Sequence, residues 1–288
     1  MKHLFIILCL SFVFISCSSD SEPEEQDSEI FGLILKTLTE YRYPDNDFVL
    51  TYTESYNEDV QLIHKDWGQG SSYYKVNYNP SGYINEAKLY NPDNSITRTI
   101  SYFYNASNGK IDSIGHKSTN LEFTEYDKFT HEENKISLLS HIDYYSDEFT
   151  FNEKGKIIYL DKRVKFSSFY TTFEYELDNV KKLNITYSSG NSNVVTIEYE
   201  YDSFINPLYR NTEADYLNDT VLDYRQPGYK ELNFSKNNFI TKTYTSSLYP
   251  EDNYVYTREI EYNSDNYPIT SINKSNGEIV GKHTYEYH

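Results

Sequence analysis

The seven histidines are His3, His64, His116, His131, His141, His283 and His288. No two stand four residues apart, and no His-Glu-Xaa-Xaa-His occurs, so the local spacing that zinc sites use is missing. His131-Glu132-Glu133 places an imidazole beside two carboxylates, the donor set of a cation site, but the segment reads as a solvated turn after Tyr126. Asp265-Asn266 lacks the following Gly and distal Glu of a calcium loop. There is no Gly-Xaa-Ser-Xaa-Gly elbow and no phosphate-binding glycine loop. The two cysteines, Cys9 and Cys17, both lie near the N-terminus, so the rest of the chain has neither a disulfide nor a thiol nucleophile. The 44 acids supply many pairs for two-carboxylate glycan hydrolysis, and none stands out. The sequence therefore assigns no catalytic, cofactor-binding or metal-ligating residue, and no cofactor is expected. An enzyme survives in one form, a glycan-acting hydrolase with paired carboxylates in a β-barrel cleft.

The elements that would position any site are strands. Val195, Ile197, Tyr199 and Tyr201 alternate with Thr196, Glu198, Glu200 and Asp202, a period of two that buries one face and wets the other. The pattern recurs in Tyr74, Val76 and Tyr78; in Ile100, Tyr102 and Tyr104; in Phe173, Tyr175 and Leu177; and in Tyr256, Ile260 and Tyr262. An aromatic residue closes each such strand: Tyr56, Tyr78, Tyr104, Tyr126, Phe151, Tyr175, Tyr201, Tyr262 and Tyr287. Successive gaps are 22, 26, 22, 25, 24, 26, 61 and 25 residues, the rhythm of a repeated supersecondary unit. Turn formers follow, as in Asn79-Pro80-Ser81-Gly82 and Asn152-Glu153-Lys154-Gly155. The fold class expected is all-β: an antiparallel meander of eight or nine hairpins forming a large curved sheet, half-barrel or barrel. The gap from Tyr201 to Tyr262 has room for two units, with Leu222–Asn233 and Phe239–Ser246 as candidates. Ile30–Tyr41 could form a short helix behind Ser28, but Leu35–Tyr43 is β-rich and reads as a first strand.

The 32 tyrosines suit such a sheet, because the ring covers apolar area while the hydroxyl stays wet. They read chiefly as core and lining. The other reading is an aromatic platform for a sugar or an apolar ligand, to which Trp67, in a probable loop, adds little.

The N-terminus indicates location. Lys2 and His3 precede an apolar run from Leu4 to Ile15, too short to span a bilayer and of signal-peptide length. Phe14-Ile15-Ser16-Cys17 resembles a bacterial lipobox, with Phe where Leu is commoner. The resemblance implies cleavage after Ser16 and acylation of Cys17. Residues 17–29 follow as an acidic, disordered tether, and 30–288 as a single β-repeat domain. The net charge is 26 − 44 = −18, and −19 once Lys2 is removed. No basic stripe appears, so a nucleic-acid partner is not expected.

Two family resemblances rest on the repeat. Tyr199-Glu200-Tyr201-Asp202, Tyr102-Phe103-Tyr104-Asn105 with Gly109-Lys110-Ile111, and Phe149-Thr150-Phe151-Asn152 with Gly155-Lys156-Ile157 are similar to the YD repeats that build Rhs-type shells. Tyr201–Leu208, Ser235–Asn238, Glu261–Pro268 and Tyr285-Glu286-Tyr287 resemble a Bacteroidetes lipoprotein family of unknown function with a porin-like β fold. That resemblance implies an outer-membrane lipoprotein, displayed on the cell surface or on the periplasmic face, and implies no activity. A membrane pore is not expected, since Thr172, Glu174 and Glu176 put polar groups on the second face. Asp112-Ser113-Ile114 and Asp219-Thr220-Val221 resemble an O-glycosylation sequon. The functions that fit are a non-enzymatic binding or scaffold module, the hydrolase above, or an Rhs-like shell protein. Expected partners are a membrane through the lipid anchor and, beyond that, a glycan or a surface protein.

Overall fold

The computed structural model describes residues 33–44, 47–59, 61–68, 70–119, 125–140, 146–164, 167–188, 193–209 and 234–288. Eighteen strands lie among them. In chain order they are β1 (Leu35–Arg42), β2 (Val49–Tyr56), β3 (Leu62–Asp66), β4 (Tyr73–Tyr78), β5 (Ile84–Tyr90) and β6 (Ile96–Tyr104). Next come β7 (Ile111–Ser118), β8 (Glu125–Glu132), β9 (Lys135–Leu139), β10 (Ser146–Phe151), β11 (Ile157–Val164) and β12 (Ser167–Glu176). The last six are β13 (Asn179–Tyr187), β14 (Val194–Ile205), β15 (Asn237–Ser246), β16 (Tyr254–Tyr262), β17 (Pro268–Ser275) and β18 (Glu278–Tyr287). Each pairs antiparallel with its neighbour in sequence, and β18 returns to pair with β1, so the meander closes into a barrel. Closure removes every free sheet edge.

The anchor aromatics mark one end of this barrel. Tyr56, Tyr78, Tyr104, Phe151, Tyr175 and Tyr262 each sit at a register shift, opposite Leu62, Ile84, Ile111, Ile157, Val180 and Pro268. A bulge at each hairpin adds local twist, which lets so many strands curl into a closed wall. The Tyr hydroxyls then tie each hairpin to the one before. Tyr78 donates to the Leu62 carbonyl at 3.0 Å, Tyr104 to Ile84 at 2.7 Å, Tyr175 to Ile157 at 2.9 Å, Tyr201 to Val180 at 2.6 Å and Tyr287 to Pro268 at 2.7 Å. The Asn after an anchor closes the turn. The Oδ1 atoms of Asn79, Asn152 and Asn263 each accept N–H bonds from two and four residues further on. Gly82, Gly155 and Asn266 supply the positive φ these turns need.

Three expectations are corrected. Tyr126 is not an anchor: it faces outward across from Gly115, whose missing side chain lets the ring reach Phe103 at 6.0 Å. His131 takes the anchor position opposite Ile136, with Nε2 bonded to the Ile111 carbonyl at 2.6 Å, so it lies in β8 and not in a turn. Leu177 leaves the apolar face; it sits in the two-residue β12–β13 turn at φ 56° and is 91% exposed. Phe239–Ser246 falls within β15 as expected, and the first strand is β1. Leu222–Asn233 lies outside the described residues. Among the described residues, the stretch between the anchors Tyr201 and Tyr262 holds the end of β14, then β15 and β16. Nine pairings close that end, the ninth being β18 with β1, where Tyr287 faces Leu35.

The core fills the anchor half of the interior. Ile84, Ile100, Tyr102, Ile114, Ile136, Phe149, Leu183 and Ile197 are buried there in one cluster. Leu208 reaches in from the start of the β14–β15 connection to join Leu35, Leu38, Tyr56 and Tyr285, while Phe234, from its end, meets Phe173 at 6.2 Å.

Candidate functional site in the barrel lining

Away from the anchors the lining changes character. Inward positions run in steps of two along each strand, so Tyr104, Tyr102 and Ile100 lead to Arg98, and Tyr262 and Ile260 lead to Arg258. Likewise His131 and Phe129 lead to Asp127, Phe151 and Phe149 to Asp147, and Tyr287 and Tyr285 to His283. Four residues from the anchor on four of these strands, and six on β6, the apolar lining gives way to ionisable side chains.

One polar group lines β6–β11. Arg98 Nη2 lies 2.7 Å from His116 Nδ1, and His116 Nε2 lies 2.8 Å from Asp127 Oδ2. Arg carries only donors, so Nδ1 accepts and the Nε2–H donates to Asp127. Ser140 Oγ donates to Asp127 Oδ1 at 2.9 Å. A Ser, a His and an Asp meet here without making a nucleophilic triad, because the serine bonds to the carboxylate and not to the imidazole. Asp147 stands beside this group, 3.9 Å from Lys162. Burial pushes its carboxyl up to about 6; Lys162 opposes the shift and Asp127 adds to it.

A second group lines β16–β3. His283 Nε2 bonds to Glu40 Oε2 at 3.2 Å, and Asn273 Nδ2 lies 3.3 Å from His283 Nδ1. It repeats the first arrangement, an imidazole held between a donor and a carboxylate. Burial pulls the His283 imidazole below its ordinary range, and Arg258 does so further. Glu40 is raised by burial but lowered more by the hydrogen bonds from His283 and Tyr52, so its carboxyl lies below the usual range. Tyr52 is pushed well up, by burial first and then by Glu54 and Glu40. Lys65 bonds to Glu54 at 2.8 Å and lies 4.5 Å over the Tyr52 ring.

Between the two groups the wall is aromatic. Phe169 and Tyr187 meet at 5.7 Å, and Tyr244 and Tyr254 stack at 4.8 Å with 8° between planes. Tyr256 continues the arc, opposite Lys242, whose Nζ is 5.8 Å from the Tyr199 ring. Phe169, Tyr187, Tyr244, Tyr254 and Tyr256 are half-buried, leaving ring surface for a ligand. Trp67 directly follows β3 and packs edge-on to Tyr74 at 5.3 Å. Among the described residues no group of three His, Cys, Asp or Glu side chains is placed to hold a metal ion.

His64 faces outward against Tyr73, and Ser113 of Asp112-Ser113-Ile114 faces outward beside Lys128. Cys17, Asp219 and Thr220 lie outside the described residues. The sequence reading did not single out Arg98, Asp127, Asp147, Arg258 or Glu40. Counting back in twos from each anchor finds Arg98, Asp147 and Arg258. Asp127 emerges only once His131 is recognised as the anchor.

No protein-family model matches this chain, and no curated protein matches it. Among solved structures it is similar to a porin-like protein from Bacteroides vulgatus at 10% identity, covering 89% of this chain and 99% of that one, with a TM-score of 0.44. A porin-like protein from Bacteroides uniformis is similar at 10% identity, covering 88% and 98%, also at 0.44. A chain of the TcdB2-TccC3-Cdc42 structure is similar at 10% identity and a TM-score of 0.32, over 84% of this chain and 14% of that one. Likenesses this distant leave function to be argued from the barrel itself.

Proposed function

We propose that this chain is a surface-tethered, non-enzymatic binding barrel, whose polar and aromatic lining away from the anchors holds a glycan or a similarly polar ligand. The observation that carries it is the contrast within one interior: tightly packed apolar side chains at the anchor end, and half-buried rings interleaved with charges beyond them. Sugar rings suit such walls, because aromatic faces cover their C–H surfaces while charged and amide groups take their hydroxyls. The Cys17 lipobox and the acidic 17–29 segment support a lipid anchor in the outer membrane with the barrel displayed outward. A glycan array probed with the processed chain tests the reading. Selective retention of one glycan class is the expected result, and retention of none counts for an inert scaffold.

The hydrolase reading has one observation in its favour, the pairing of a raised Asp147 with a neighbouring Asp127. Against it, Asp127 is 1% exposed and both its oxygens are already bonded, to His116 and Ser140. Reducing-end release from any glycan the barrel retains, abolished by Asp147→Asn, would restore it. An encapsulating shell fits less well, since side chains fill the anchor half of the interior.

A further inference from the structure

Arg258 has donors to spare and, among the described residues, no acid to receive them. Its side chain is 92% buried (8% exposed) on the inner wall of β16. Nη2 donates to Tyr285 Oη at 2.5 Å and to Ser271 Oγ at 3.3 Å, and the guanidinium carbon lies 4.8 Å over the Phe239 ring. Among the described residues no carboxylate pairs with it, and its Nε is buried without a hydrogen-bond partner. Two acids reach toward this wall and both are engaged elsewhere: Glu40 is bonded to His283, and Asp202 accepts from the Tyr262 hydroxyl. A buried cation satisfied only by neutral hydroxyls and a ring face carries a desolvation cost that its contacts do not offset. That is the state of a site whose counter-charge arrives with a ligand. The aromatic ring here also excludes water from one face, which strengthens an ion pair formed on the other.

We propose that Arg258 is the anion-binding centre of the lining, and that its ligand is a saccharide bearing a carboxylate, a uronic acid residue. The inference rests on the ligand-holding reading above and names the ligand's class. The guanidinium fork matches a carboxylate in geometry as well as charge. Tyr256, one inward step along β16 from Arg258, and the stacked Tyr244–Tyr254 pair beyond it offer ring faces to the sugar that carries the acid. Lys242, opposite Tyr256, adds a second positive charge to the same stretch of wall. The net charge of −18 repels anions at a distance, so the preference comes from this local contact and not from steering.

The test is calorimetric titration of the processed chain carrying Cys17→Ser with oligogalacturonate, its methyl ester, and a neutral oligogalactan. Oligogalacturonate is expected to bind, the ester to bind at least about 10-fold more weakly, and Arg258→Met to weaken the acid by about 10- to 100-fold and the ester by much less, so that the preference for the acid is lost. If Arg258→Met does not fold, judged by near-ultraviolet circular dichroism, the ratio of acid to ester on the unaltered residue decides. Equal binding of acid and ester overturns the assignment yet leaves a glycan-holding barrel standing, as does binding of the galactan alone. Failure of all three to bind overturns the assignment, and the glycan-holding reading is then decided by the array.

Discussion

Asp147 shows what a polar lining costs the fold. Its carboxyl is shifted up to about 6 by burial, from an ordinary value of 3.8. The folded chain therefore prefers the protonated acid. That stabilisation is complete below about pH 3.8 and is lost as pH rises through about 6, leaving a cost on the order of 2–3 kcal/mol at neutral pH. Asp147→Asn should remove the cost, less whatever Lys162 loses at 3.9 Å. We expect a gain of about 2 kcal/mol in urea unfolding at pH 7.5 and almost none at pH 3.5; a pH-independent difference would show that the carboxylate is not strained. The Glu40–His283 pair has the opposite sign. Both groups are shifted down, so their stabilisation is present at neutral pH and is lost on acidification, when the buried imidazole must charge and then Glu40 must be neutralised.

At the scale of the strand and turn, the same unit is built again and again, and its exceptions are informative. Gly281 is set against backbone inside a strand: a Cβ there would stand 2.5 Å from the Tyr41 carbonyl oxygen. It lies on the β18–β1 seam, so Gly281→Ala should push that seam apart and cost about 1–3 kcal/mol. Leu177→Gly should act oppositely, since φ 56° strains any L side chain and the first position of a two-residue hairpin turn favours glycine. A gain of about 1 kcal/mol is expected there, and paired thermal melts of the two variants against the parent check both signs. These elements also show what the sequence made legible. The anchor spacing, the alternation and the Asn-led turns are local, and they yielded the all-β meander. The substitution of His131 for Tyr126 is hidden because Tyr126 is the aromatic residue and keeps the period, with gaps of 22 and 25, whereas His131 gives 27 and 20. Closure could not be read, since Leu35 and Tyr287 meet across almost the whole chain and no local pattern encodes that pairing. The lining was half legible, because alternation is easily seen only where its inward residues are apolar, near the anchors.

For the whole molecule the decisive feature is the outer wall. Lys88 with Glu86, Lys135 with Glu148, Lys182 with Glu198, and Lys274 with Glu259 place ion pairs on arcs spread around the barrel. Threonines fill many of the outward positions between them, as with Thr39 against Thr53 and Thr196 beside Asn184. A lipid-facing band would cost about 2–4 kcal/mol for each Lys or Arg near the bilayer midplane, repeated around the wall. Water costs these groups nothing, and exposed pairs of this kind need contribute little to stability to remain there. On the proposed reading, a chain of this design would touch the membrane through its acyl chains alone. The processed chain with Cys17→Ser should then be soluble without detergent, elute as a detergent-free particle in size-exclusion chromatography, and stay in the aqueous phase of a Triton X-114 partition. The unaltered chain, exported and acylated, should move to the detergent phase. If the Cys17→Ser chain instead needs detergent to stay dispersed, the outer wall is embedded in lipid, and a spanning barrel replaces the tethered one.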